Sequence, residues 1–211
     1  MTERALWVAK TGLDAQQTRM AVITNNLANI NTNGFKKDRA VFQDLMYQNM
    51  RQVGAQTSQT SQLPTGMQLG TGVRTIATEK IFTQGNVEQT GNALDVAING
   101  RGFFQIQMPD GTLVYTRSGE FKLDQNGAMV GPNGYPINPA ITIPQDAQSI
   151  TIGADGSVSV LQPGNAQPAN VGQLQIANFI NTAGLEPIGE NMYRESAASG
   201  PAVLGTPAAG E

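Results

Sequence analysis

The chain has 211 residues, no Cys and no His, and 13 Lys and Arg against 16 Asp and Glu, a net charge of −3. The two missing residue types exclude disulfides, Cys–His and Ser–His–acid catalysis and the commonest zinc sites, and the charge gives no case for nucleic acid as a partner. Charged residues make up only 14% and glycines number 24, so the polar surface is drawn from Asn, Gln, Thr and Ser, and the backbone turns often.

Charge is also uneven: residues 1–40 carry six basic residues against three acids, and the remainder is net −6. No window approaches 18 uninterrupted apolar residues, so the chain is not expected to be membrane-embedded. The start lacks the basic region and apolar core of a cleaved signal peptide, and export, where it occurs, is expected to use another feature.

Residues 3–30 read as one helix. Leu6, Leu13, Met20 and Leu27 recur every seven residues, with Ile23 and Ile30 three further on, which is the seam of a coiled coil or bundle. Asn31-Thr32-Asn33-Gly34 ends it and places glycine where a left-handed cap can form. An ordinary core-facing helix gives the same periodicity. What separates the two is that nothing downstream offers a helical partner of similar length, so the seam is predicted to seek other chains.

Residues 35–50 hold Phe35, a charged cluster of Lys36, Lys37, Asp38 and Arg39, and the apolar Val41, Phe42, Leu45, Met46 and Tyr47; extended chain and short helix both fit. Residues 51–72 are rich in Gln, Ser, Thr, Gly and Pro, a composition that predicts a polar arm, disordered or ordered by contacts outside its own fold.

From Val73 the pattern turns to β. Runs at 73–76, 80–82, 94–98, 103–106, 113–116, 121–123, 129–130, 141–143, 150–152, 158–160 and 174–179 are separated by Asn-Gly and Asp-Gly pairs, which predicts an antiparallel sandwich or open barrel. Ala197 to Glu211, rich in Ala, Gly and Pro, read as a linker. The expected fold class is α+β: a long N-terminal α-helix for polymerisation (1–34), a connecting segment with the polar arm and first strands (35–93), a mainly antiparallel β domain (94–185) and a return segment (186–211).

Three motifs resemble the bacterial flagellar basal-body rod and hook family. The first is Asn25-Asn26-Leu27-Ala28-Asn29-Ile30-Asn31-Thr32-Asn33-Gly34-Phe35-Lys36. The second is Leu94 to Phe104, through Asn99-Gly100-Arg101-Gly102. The third is Tyr115-Thr116-Arg117-Ser118-Gly119-Glu120-Phe121. Within the arm, Gln62, Leu63, Pro64 and Gly66, with Leu69 to Arg74, resemble the distal-rod branch of that family.

The resemblance implies an axial subunit with no catalytic, cofactor or metal site and no small-molecule substrate. It implies export through the flagellar type III apparatus and polymerisation with copies of itself into a torque-transmitting rod that crosses the periplasm. Its implied neighbours are proximal rod proteins, the hook protein and the ring bushing. The helix would line the inner layer and the β domain the outer. Family members close with a C-terminal helix that pairs with the first; no such helix precedes Glu211, so 211 residues alone are expected to polymerise poorly.

Several residues keep two readings. Asn25, Asn26 and Asn29 cost helix propensity; they either face water or bond between helices of adjacent subunits, and the resemblance favours the latter. Lys36, Lys37 and Arg39 read as a solvated face or an intersubunit ion pair. Asp124, Asn126 and Gly127 fit a β-turn better than a calcium loop. Asp95, Asp110 and Glu120 sit at turns, where acids are ordinary; a wall glycosidase using them is the enzymatic alternative. A sibling rod or hook subunit is the nearest alternative. A carbohydrate-binding module would need exposed aromatics, and the single Trp is Trp7, in the helix.

Overall fold

A computed structural model describes residues 2–51, 56–58, 61–62, 65–164 and 167–207. The chain forms an α+β fold with a mainly antiparallel β part, and it divides into two compact units: residues 1–30 with 37–81, and residues 31–36 with 82–211.

The first unit is a helix on a β-ribbon. Helix α1 spans Thr2–Ala28. Ala, Leu, Gln, Lys and Arg fill it without a proline, and Glu3 complements the helix dipole in its first turn. Strand β1 (Asp38–Asp44) pairs antiparallel with the distant strand of the ribbon, in a register running from Asp38 opposite Lys80 to Asp44 opposite Val73, with a bulge at Val41/Phe42. Between them lie β2 (Tyr47–Arg51), β3 (Gln56–Ser58), β4 (Ser61–Gln62) and β5 (Met67–Gly70); β6 (Val73–Lys80) closes the ladder with β1.

One open reading is decided here and one expectation changes. Residues 35–50 are extended through β1 and β2, not helical. The arm is not structureless: β2 pairs with β5 and β3 with β4, so it is a long hairpin. A hairpin satisfies its own backbone groups whatever its side chains are, so a polar composition does not preclude it. Its base is not polar either, since Met46, Tyr47, Met50, Met67 and Leu69 are all exposed there.

The second unit carries the core. Its strands are β7 (Phe103–Gln107), β8 (Leu113–Thr116), β9 (Lys122–Leu123), β10 (Met129–Val130), β11 (Ile137–Asn138), β12 (Ser149–Ile152), β13 (Ser157–Leu161), β14 (Ala169–Gln173), β15 (Ile176–Asn178), β16 (Glu186–Gly189), β17 (Met192–Arg194) and β18 (Val203–Gly205). A seven-stranded antiparallel sheet has the order β16-β17-β8-β7-β15-β18, with β11 also on β7. β12-β13-β14 form a separate three-stranded sheet and β9-β10 a short ribbon.

One apolar cluster joins Phe104 of the large sheet to Val158 and Val160 of the smaller one, with Phe121, Met129, Ile137, Ile141, Ile143 and Leu174. A second is aromatic: Phe103, Tyr115, Phe179 and Tyr193 meet edge to face at 4.8–5.9 Å between ring centres. Each large side chain so buried contributes roughly 1.5–3 kcal/mol.

The turns follow the sequence closely. At Asp110-Gly111 the glycine takes φ +84°, and the Asp110 carboxylate accepts bonds from the Thr112 amide (2.9 Å) and hydroxyl (2.6 Å). That bonding holds the Asp110 carboxyl below its usual range. Asn126-Gly127, Asn133-Gly134 and Asp155-Gly156 place their glycines likewise.

Other strand expectations fail. Residues 94–98 make an isolated bridge, Asp95 with Glu120, and residues 141–143 another, Thr142 with Ala128. Their alternation is nonetheless structural, because Leu94, Val96 and Ile98 all point into the first cluster. Alternating burial requires an extended chain, but not a ladder partner. The segment read as a linker, from Ala197, contributes β18 to the large sheet, which the return segment also joins through β16 and β17.

Candidate functional site

Two features concentrate the motif residues: the faces of α1, and a junction within the second unit.

Along α1 and the turn just after it, the half-buried or buried positions are Thr11, Gly12, Ala15, Thr18, Val22, Asn26 and Asn29, which apart from Gly12 are spaced three and four apart on one face. The contacts behind this face are small and close. The Val73 amide donates to Thr11 Oγ1 at 3.4 Å, and a Cβ on Gly72 would collide with that hydroxyl. Asn26 docks the other end. Its Nδ2 donates to the Asp38 carbonyl and its Oδ1 accepts from the Asp38 amide, both at 2.9 Å.

Asn26 is therefore bonded within its own chain on both sides of its amide. Asn29 also bonds locally, to the Asn25 carbonyl at 2.9 Å and to Asn25 Oδ1 at 3.2 Å. Replacing Asn26 with alanine leaves the Asp38 amide and carbonyl without their partner. The expected loss is about 1–3 kcal/mol, read as a lower urea midpoint for the helical circular-dichroism signal; an unchanged midpoint would show that this docking contributes nothing.

The apolar seam lies nearly opposite. Leu13 and Met20 each precede a docked residue, Ala15 and Val22, by two positions, about 200° around the helix. Leu6, Leu13, Met20, Ile23, Leu27 and Ile30 are all exposed, from 49% (Ile23) to 73% (Ile30). Sequence periodicity identified this stripe. Thr and Ala carry little hydropathy signal, so periodicity alone does not separate the second, small-residue face of Thr11, Ala15 and Thr18 from the stripe.

The imbalance extends across the first unit. Among the described residues, it contains one buried hydrophobic side chain, Ala15, against nineteen in the second unit. It holds fourteen of the twenty-one exposed large hydrophobic side chains. Exposed apolar surface on this scale marks an interaction surface. Of the arm residues, Leu63 and Pro64 lie outside the described residues, Gln62 ends the short strand β4, and Gly66 precedes β5.

The junction gathers three motif segments. Residues 31–36 form a turn in which Phe35 N donates to the Thr32 carbonyl at 3.2 Å and Gly34 takes φ +73°. This left-handed glycine lies well past Ala28, so it closes its own turn and does not cap α1. It also permits close approach, since a Cβ there would sit 2.7 Å from Ser118 N. Asn33 bonds Glu120 through its side chain, and its carbonyl accepts from Asn191 Nδ2 at 3.0 Å.

Arg117 stitches the other two motifs together. Its guanidinium donates to the carbonyls of Gly100 and Gly102, to that of Ile98 at 3.3 Å, and to Gln84 Oε1 at 2.7 Å. Val96 N donates to the Gly119 carbonyl at 2.9 Å. Lys36 corrects its expectation: it is buried, 8% exposed, with Nζ donating to the Thr83 carbonyl at 2.8 Å. Desolvation first, and the nearby Arg117 second, push its ammonium pKa below the ordinary 10.5. Arg39 pairs with Glu79 at 2.9 Å inside the first unit.

Among the candidate carboxylates, Asp95 and Glu120 are bridge partners, and Glu120 also accepts from Asn33. Asp95 accepts from Thr90 (2.7 Å) and Asn92 (2.8 Å), and Asp110 serves its own turn. No helix among the described residues is long and apolar enough to cross a membrane.

Comparison with known proteins agrees with these motifs. Residues 6–36 match the family model described as "Flagella basal body rod protein", and residues 97–160 match "Flagellar hook protein FlgE/F/G D1 domain". The chain is 58% identical over 203 residues to the flagellar basal-body rod protein FlgG of Buchnera aphidicola subsp. Schizaphis graminum, covering 96% of this chain and 78% of that protein. It is 48% identical to the FlgG protein of Agrobacterium fabrum, covering 97% and 78%. A flagellar hook protein, FlgE of Helicobacter pylori, is 39% identical over 135 residues, 64% of this chain and 19% of that protein. The chain belongs to the flagellar basal-body rod protein family, as a structural subunit of the distal rod.

Proposed function

We propose that the chain builds the rod by packing the outward face of α1 against other axial helices, so that torque passes through repeated side-chain packing and involves no chemical step. The observation that supports this is the division of apolar surface: one unit has a closed core, while the other presents Leu6, Leu13, Met20, Ile23, Leu27 and Ile30 to its surroundings. Heterologous contacts of this kind, repeated without closing into a ring, generate a filament. In this reading residues 1–34 are the polymerisation segment, and the arm of residues 47–70, to which Gln62, Leu63, Pro64 and Gly66 belong in sequence, lies against a neighbouring subunit through the exposed Met50 and Met67.

As a member of the rod family the chain is a basal-body component that assembles with other axial parts of the flagellum. The finer placement belongs to the same proposal: proximal rod proteins at one end, hook protein at the other, the ring bushing around it, the periplasm as its compartment and the flagellar type III apparatus as its route. A hook subunit is disfavoured because the hook relative shares a much smaller part of its length than the rod relatives do.

Site-specific photocross-linking tests the interface. A benzoylphenylalanine at Leu13 or Met20 is expected to give covalent oligomers of this chain when assembled rods are irradiated. The same probe at Thr18, on the ribbon-facing side, is expected to react within its own chain. Oligomers from Thr18 but none from Leu13 or Met20 would reject the assignment.

A further inference from the structure

The second unit is acidic, with five Lys and Arg against eleven Asp and Glu. Three of its five cations nevertheless line one cavity of about 210 Å³: Lys36, Arg101 and Arg117, over a wall of Phe82, Phe103 and Phe179. Lys36 and Arg117 are both desolvated, and each spends its donors on neutral oxygens of the backbone or of Gln84. Among the described residues, no carboxylate is bonded to either one. Arg101 makes no hydrogen bond or ion pair among the described residues.

Charges taken out of water are normally paired. Here a buried lysine and a half-buried arginine sit near one another and a third cation lines the same cavity, an arrangement that leaves the free chain with unrelieved repulsion. A carboxylate entering the cavity relieves it and gains charge-assisted bonds. The space admits a carboxyl group together with hydrating water. The aromatic wall lowers the local dielectric and strengthens the attraction.

We propose that this cavity is a receptor for a carboxylate of a neighbouring copy, supplied by the acidic surface of that copy's β unit. The charge complementarity is internal to the chain: a unit with net charge −6 carries one concentrated positive concavity. Copies of it packed side by side would otherwise repel one another. Among the exposed acids, Glu88 and Asp146 have no bonding partner within the described residues and are suited to be donors. The inference rests on copy-to-copy assembly as read above, but it concerns a contact separate from the helix seam.

The test uses cells in which this chain is the rod subunit. Arg101→Glu is expected to cut the number of completed rods per cell about tenfold, the effect of turning one charge-assisted contact unfavourable. Charge-reversing suppressors at acids of the β unit, such as Glu88→Lys or Asp146→Lys, should restore them. Lys36→Met keeps the volume and removes the buried charge. It should lose rods to a similar extent while the purified chain melts no lower than the parent, an outcome that a purely structural lysine would not give.

Normal rod numbers in both variants would overturn the proposal. So would saturable binding of inorganic phosphate to the purified parent chain with rod assembly unchanged by either variant, which would assign the cavity to a free oxyanion. Failure of the helix seam is distinguishable, because Leu13 variants would not be rescued by reversing an acid in the β unit.

Discussion

Leu13→Glu combined with Leu27→Glu is expected to leave a folded chain that makes no rods. Both side chains are exposed and lie on the face of α1 turned away from the ribbon, so the subunit's stability should change by no more than about 0.5 kcal/mol, as for surface substitutions in general. In an assembly that buries them, each introduced carboxylate would be unpaired in an apolar interface, at several kcal/mol per site. Every 1.4 kcal/mol is about a tenfold change in association, so two such sites put polymerisation out of reach of cellular concentrations. Circular dichroism and thermal melting of the purified chain, beside electron microscopy of basal bodies from cells expressing it, read the two halves of the prediction. Normal rods would sink the interface; an unfolded chain would show that the stripe serves the subunit's own fold.

Gly119→Ala should have the largest effect on the β unit itself. A Cβ at this position would overlap the Val96 carbonyl oxygen and lie 2.7 Å from its carbon. The obstructing atoms are backbone, so no rotamer change relieves them. The chain must part, losing the Val96–Gly119 bond and the bridge between Asp95 and Glu120, and Leu94, Val96 and Ile98 then withdraw from the first cluster. Overpacking and the lost hydrogen bond together predict a cost of roughly 2–4 kcal/mol. Gly91→Ala, with nothing within 4 Å of the added carbon, is the matched control and should be near neutral. Equal melting temperatures for the two variants would mean that residues 94–98 do not approach Gly119 as closely as described.

The Asn-rich motif shows how little of a polar side chain's bonding is set by its local sequence. Asn26 was read as a candidate contact between subunits, because polar residues within a helical seam often fix register. The structure bonds both ends of its amide to Asp38, twelve residues away across a turn. Nothing in the local pattern separates an amide that faces a neighbour from one that folds back on its own chain. Lys36 is the same case: a basic cluster usually stays in water, and this one lysine is buried with its ammonium on the Thr83 carbonyl, forty-seven residues away.

What the sequence determined by itself was everything governed by short range: the extent of α1, its seven-residue apolar stripe, the Asn-Gly and Asp-Gly turns, and the alternation that sends Leu94, Val96 and Ile98 inward. These follow from periodicity and from the backbone freedom of single residues. Only the tertiary structure decided which runs found ladder partners, that the polar arm is a hairpin, that the last strands belong to the main sheet, and that Gly119 and Gly34 are glycines because other backbone passes against them. Those outcomes depend on residues tens of positions apart coming together, and pairing between strands is set by which partner is within reach, not by the strand's own composition.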